Sequence, residues 1–81
     1  MCSYDVNELQ TQIRNNVKYF REKKHKSQLE MALAIGHSSA AFYAKAELGI
    51  QNKRFNIKHL CRIAEELDVD IREFFNEKHE V

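Results

Sequence analysis

Residues 27–49, SQLEMALAIGHSSAAFYAKAELG, decide how the chain is read. Ser27 and Glu30 stand three apart, the spacing at which a hydroxyl and a carboxylate each satisfy the other's free backbone N–H at a helix start. A helix is therefore expected from Gln28. Met31, Ala32 and Ile35 follow at helical spacing, and Gly36 tolerates the left-handed conformation that closes a helix. Ser38 and Ser39 offer side-chain caps for a second helix through FYAKAEL, which Gly49 stops. The stretch reads as two short helices pinned around a glycine turn, with the rest of the chain as scaffold.

On the N-terminal side, Asp5 or Asn7 can cap a first helix. Leu9, Ile13, Val17 and Phe20 form its core stripe, at spacings of four, four and three. Its other faces carry Arg14, Lys18, Arg21, Lys23 and Lys24, and it runs out in KKHK before Ser27. On the C-terminal side, IQNKRFN has no periodic face and is expected to be an exposed loop. Asn56 can cap a fourth helix, with Ile57, Leu60, Cys61, Ala64 and Leu67 at core spacing. Cys61 is accordingly expected in the core, as a small apolar residue. Asp68 and Val69 break the pattern. Asp70 with Glu73 repeats the capping logic before a last short helix carrying Ile71, Phe74 and Phe75. The end, NEKHEV, is expected to fray.

Composition agrees with an all-α chain: 81 residues, no proline, two glycines, 43% hydrophobic and 31% charged. One domain is expected over residues 1–81, with its core at about 9–75 and short frayed termini. A chain of this size buries only about 60% of its unfolded surface, so a dimer interface would add to a modest stability. The apolar runs MALAI and AAFYA fall far below the roughly 20 residues of a membrane span, and MCSYDVNELQ lacks a targeting pattern, so a cytoplasmic location is expected.

Charge is more informative in its distribution than in its sum of +1. Residues 1–13 carry Asp5 and Glu8. Residues 14–62 carry eleven Lys/Arg against Glu22, Glu30 and Glu47, for +8. Residues 63–81 carry Arg72 and Lys78 against seven acids, for −5. A basic middle and an acidic end point to one surface for a polyanion and another turned away from it.

Helix, glycine turn, helix on the basic side of such a chain is the layout of a DNA-reading motif. Five helices with that motif as the second and third resemble the lambda-repressor-like fold of the Xre-type regulators, which include the Cro-like proteins. The resemblance covers about Ile13 to Phe75. It rests on REKKHKSQLEMALAIGHSS, on Glu47-Leu48-Gly49 and on HLCRIAEELDVDIREFF. It implies a compact all-α DNA-binding domain.

The resemblance leaves two registers for the third helix, because Glu47 lies one residue further from Gly36 than the family's acidic residue does. With a turn of the usual length, Ser38 caps, Phe42 points inward, and Ser39 and Tyr43 face DNA. With a turn one residue longer, Ser39 caps, Tyr43 and Ala46 face inward, and Ala40, Ala41 and Lys45 face out. The longer turn keeps Glu47 and Gly49 where the family has them and is preferred.

Base-reading candidates are therefore Ser38, Ser39, Ala40, Ala41, Tyr43 and Lys45. The small residues at the helix start favour methyl contacts to thymine and readout of DNA shape over bidentate contacts to guanine. Phosphate candidates are Gln28, at the free N–H groups opening the second helix, and Asn52, Lys53 and Arg54 in the loop that follows. Arg21 and Glu47 match family positions that form a partly buried ion pair. Phe75 and Val81, surplus to a single core, are candidates for a dimer contact.

His25, His37, His59 and His79 show no paired ligand spacing, and no cofactor, metal or catalytic grouping is expected. The sequence thus supports a non-enzymatic transcriptional regulator. It would bind double-stranded DNA as a homodimer on a palindromic operator, as a phage-type repressor or restriction-modification controller does. The competing reading is an antitoxin-type module that masks a toxin and autoregulates its own operon.

Overall fold

The computed structural model describes residues 3–77, and Val81 lies outside them. Within them the chain forms α1 (Val6–Lys23), α2 (Gln28–Ala34), α3 (Ala41–Leu48) and α4 (Ile57–Leu67). A 3-10 helix (Ile71–Phe75) stands where a fifth α-helix was expected. Among these residues there is no strand, and no helix is long and apolar enough to cross a membrane.

The helix starts follow local chemistry. Asp5 caps α1, its carboxylate accepting the N–H groups of Asn7 (2.9 Å) and Glu8 (3.2 Å). At α2, Ser27 Oγ accepts from Glu30 N–H (3.0 Å) and Glu30 Oε1 accepts from Ser27 N–H (2.8 Å), which closes the expected box. At the 3-10 helix, Asp70 accepts from Arg72 N–H. The stops share one device. His25, Gly36, Gly49 and Asp68 each take a positive φ, and the next residue's N–H turns back to a carbonyl of the helix it leaves.

The core gathers Ile13, Val17 and Phe20 of α1, Met31, Ala32 and Ile35 around α2, and Tyr43 and Ala46 of α3. Leu60, Ile63, Ala64 and Leu67 of α4, with Phe55 and Phe74, complete it. Three expectations change here. Leu9 is 37% exposed and lies outside the buried core, so the α1 stripe begins one turn later. On α4 the buried arc turns toward Ile63, the larger side chain, and leaves Cys61 and Ile57 in solvent. The loop after α3 is not wholly exposed: Phe55 is buried, its ring 5.2 Å from that of Tyr43.

Two amides of α1 hold the C-terminal end. Asn16 is 2% exposed and donates from Nδ2 to the carbonyls of Phe74 (2.9 Å) and Asn76 (2.8 Å). Gln12 donates to the Phe75 carbonyl (2.9 Å) and to that of Asn76. These bonds occupy carbonyls that a short 3-10 helix leaves free, and they seat Phe74 in the core.

Candidate nucleic-acid interface

The α2–turn–α3 unit is oriented by one carboxylate. Glu47, near the end of α3, is 4% exposed. Arg21 of α1 meets it as a fork, Nε to Oε2 and Nη2 to Oε1, both at 2.9 Å, and its Nη1 donates to the Lys26 carbonyl at 2.9 Å. Gln28, the first residue of α2, donates from Nε2 to Glu47 Oε1 at 3.2 Å. Three helices therefore converge on Glu47. The hydrogen bond to Glu47 raises the Arg21 pKa, ahead of the opposing effect of burial. The pair fixes geometry more than it adds net stability, because desolvating two charges offsets much of their attraction.

Tyr43, one turn before Glu47, is fully buried, which corrects its place among the base-reading candidates. Its hydroxyl makes no hydrogen bond of good geometry among the described residues, although the Glu47 carboxylate lies near it. Burial first, and then the Glu47 carboxylate, push its ionisation up, so the phenol stays protonated throughout the physiological range.

The start of α3 differs from both expected registers. Its first residue is Ala41, and Ala40 precedes it without a side-chain cap, so neither Ser38 nor Ser39 caps the helix. Burial decides this. Tyr43, Ala46 and Glu47, at i, i+3 and i+4, turn inward together and set the helix's rotation, as the longer-turn register has it for Tyr43 and Ala46. Residues 38–40 bend on the approach instead of adding a turn. Ser38, Ser39 and Ala41 are exposed, while Ala40 and Lys45 are half-buried. Phe42 is half-buried too, stacked on His37 with ring centroids 4.8 Å apart.

Asn52, Lys53 and Arg54 are exposed on the loop after α3, where Gln51 and Asn52 take left-handed conformations. Lys53 and Arg54 line a small cleft with Gly49 and Arg14 of α1. At Gly49, with φ +70°, a Cβ would fall 2.5 Å from Arg14 Cζ, so the glycine serves both the left-handed stop and the approach of the guanidinium. Sequence reasoning had left Arg14 among the solvated charges. Its signal was the seven-residue spacing to Arg21, two turns along the same face of α1. Phe75 is 39% exposed, beside the end that Gln12 and Asn16 hold.

Among the described residues no group of three or more His, Cys, Asp or Glu side chains is arranged to hold a metal ion. A family model described as helix-turn-helix matches residues 17–74, from the middle of α1 to the last core residue, Phe74. Neither the curated proteins nor the solved structures gave a match. The match takes in most of the chain, including every element that converges on Glu47, and the chain belongs to the Xre-type, lambda-repressor-like family of helix-turn-helix DNA-binding regulators.

Proposed function

We propose that the protein is a sequence-specific transcriptional regulator that binds a palindromic operator as a homodimer, with half-sites about one helical turn apart, in the manner of phage-type repressors and restriction-modification controllers. The supporting observation is the convergence of α1, α2 and α3 on Glu47, beside exposed small residues at the start of α3. In this reading Ser38, Ser39, Ala40, Ala41 and Lys45 meet base edges. Gln28, Asn52, Lys53 and Arg54 grip phosphates, and Arg14 joins the grip from its place beside Lys53 and Arg54. The Arg21–Glu47 pair holds Gln28 and α3 in one frame, so the phosphate anchor and the reading helix move together.

The test is binding to DNA from upstream of the protein's own gene, beside random DNA, titrated with salt. The reading expects a dimer-stoichiometry complex on the upstream DNA that weakens steeply with salt and outlasts binding to random DNA. Equal affinity for both at moderate salt overturns sequence specificity.

The second reading, an antitoxin-type protein-binding module, is favoured by apolar exposure at the two ends of the chain. Tyr4 is 76% exposed and Phe75 39%. A second protein would cover these side chains in place of a second copy. Light scattering of the purified chain separates the two: a dimer that is lost on Phe75→Glu supports self-association, whereas an unchanged monomer supports the module.

A further inference from the structure

The start of α4 is closed by an unusual partner. Asn56 Oδ1 accepts from His59 N–H at 2.7 Å, and Asn56 N–H donates back to His59 Nδ1 at 3.1 Å. A carboxylate or amide normally fills the second role, as Glu30 does at α2. An imidazole can fill it only with a lone pair on Nδ1, which places the proton of the neutral ring on Nε2.

The ring is also part of an aromatic cluster. His59 lies 5.2 Å from Phe42 of α3, 6.1 Å from His37 of the α2–α3 turn and 6.3 Å edge-on from Phe55 of the loop, by centroids. Phe42 in turn stacks nearly parallel on His37. The cap of α4 and the entry into α3 therefore share one set of rings. The charged or titratable groups bearing on His59 are His37 from the turn and Lys58 and Arg62 from α4 itself. Phe42 and Phe55 face it uncharged, and no carboxylate contributes.

We propose that His59 is a proton-operated latch: a proton taken up at Nδ1 turns the acceptor of the Asn56 N–H into a donor, opens the box at α4 and loosens the rings that seat Phe42 and His37 at the entry of α3. The two N–H groups then point at each other, and the new cation faces His37, Lys58 and Arg62 with no counter-charge. The same surroundings, burial first and then His37, Lys58 and Arg62, hold the His59 pKa below its ordinary value.

The direction of the pH effect follows. Above about 6.5 His59 is neutral in folded and unfolded chains alike, and its contribution is complete. As pH falls below that value the unfolded chain takes up the proton first, so stability declines until the lower folded-state pKa is passed.

Nuclear magnetic resonance on the full chain tests this between pH 7.5 and 5. Neutral His59 should show the Nε2–H tautomer, and the Asn56 amide proton should shift with the same midpoint as the His59 ring, below about 6.5. Exchange protection of the His59 and Leu60 amides, corrected for the intrinsic rate, should fall about fivefold as the ring is protonated, the size of a lost cap. In His59→Gln, which keeps an acceptor without a titrating ring, both signals should stay flat. An Asn56 amide that ignores the His59 titration, or a neutral ring protonated on Nδ1, overturns the proposal. The two wild-type readouts decide even if His59→Gln does not fold.

Discussion

Replacing Glu47 by Gln tests the frame that holds the motif together. The substitution keeps the shape and removes the charge on a residue 4% exposed, facing an Arg21 side chain that is 12% exposed. Two bonds at 2.9 Å between ionised partners are lost, and the amide oxygen can replace only one of them, with charge left on the donor side alone. Arg21 keeps its bond to the Lys26 carbonyl, so its charge is not wholly stranded. Removing one partner of a buried pair costs about 3–5 kcal/mol, and the remaining bond places this case near about 3 kcal/mol. For 81 residues total stability is roughly 4–12 kcal/mol. The loss should therefore lower the thermal midpoint by about 12–24 °C. Urea unfolding followed by circular dichroism measures it. The double variant Arg21→Met/Glu47→Leu should recover at least half of the loss, because it leaves no buried charge without a partner. A change below about 1 kcal/mol in Glu47→Gln, or a double variant that loses the sum of the two single changes, would refute the reasoning.

Further outcomes follow from the same structure. Tyr43→Phe removes a buried hydroxyl that makes no hydrogen bond of good geometry among the described residues and should leave stability unchanged or raise it by up to about 1 kcal/mol; a loss in urea unfolding would show that the hydroxyl is bonded after all. Tyr43→Ala, by contrast, opens a core cavity and should cost about 3–5 kcal/mol. Asn16→Leu takes the side-chain partner from the Phe74 carbonyl, leaves the Asn76 carbonyl with Gln12, and should cost about 1–3 kcal/mol, with Phe74 resonances losing their dispersion; a cost under about 0.5 kcal/mol would show that the C-terminal end is held by other means. In the folded chain Asp70 should titrate at about 2, held there by the Arg72 guanidinium and backbone N–H. Its cap is complete above the ordinary aspartate value of about 3.9 and is lost as pH falls through about 2, which carboxyl carbon shifts report.

How much of this was legible in the sequence depended on distance along the chain. The Ser27–Glu30 box and the stops at Gly36 and Gly49 involve residues a few positions apart, and the pattern of residues alone specifies them; for α1 the pattern left Asp5 and Asn7 both open as caps, and Asp5 takes the role. The start of α3 was not legible. Ser38 and Ser39 both had cap chemistry, but the rotation that buries Tyr43, Ala46 and Glu47 is set by α1 and α2, which pack on α3, and overrides them. Cys61 was misjudged for a related reason: Cys61 and Ile63 both fit a helical stripe, and only packing selects between them. Nothing in the sequence around Asn16 marks it as buried, because its partners lie 58 and 60 residues away. His59 did not read as a cap at all, since imidazole seldom takes that role. The Arg21–Glu47 pair was reached through family resemblance, and no local pattern announces it.

The claim that α2 and α3 form a sequence-reading unit is tested most directly by selecting binding sites from a random DNA library with the purified protein. The account predicts enrichment of a two-fold symmetric site with half-sites about 10–10.5 base pairs apart. Lys45→Ala should relax the preferred bases, whereas Lys53→Ala/Arg54→Ala should weaken recovery of every sequence alike and leave the preference intact. A pool that stays random after repeated rounds, while the protein remains folded and binds DNA at low salt, would contradict it.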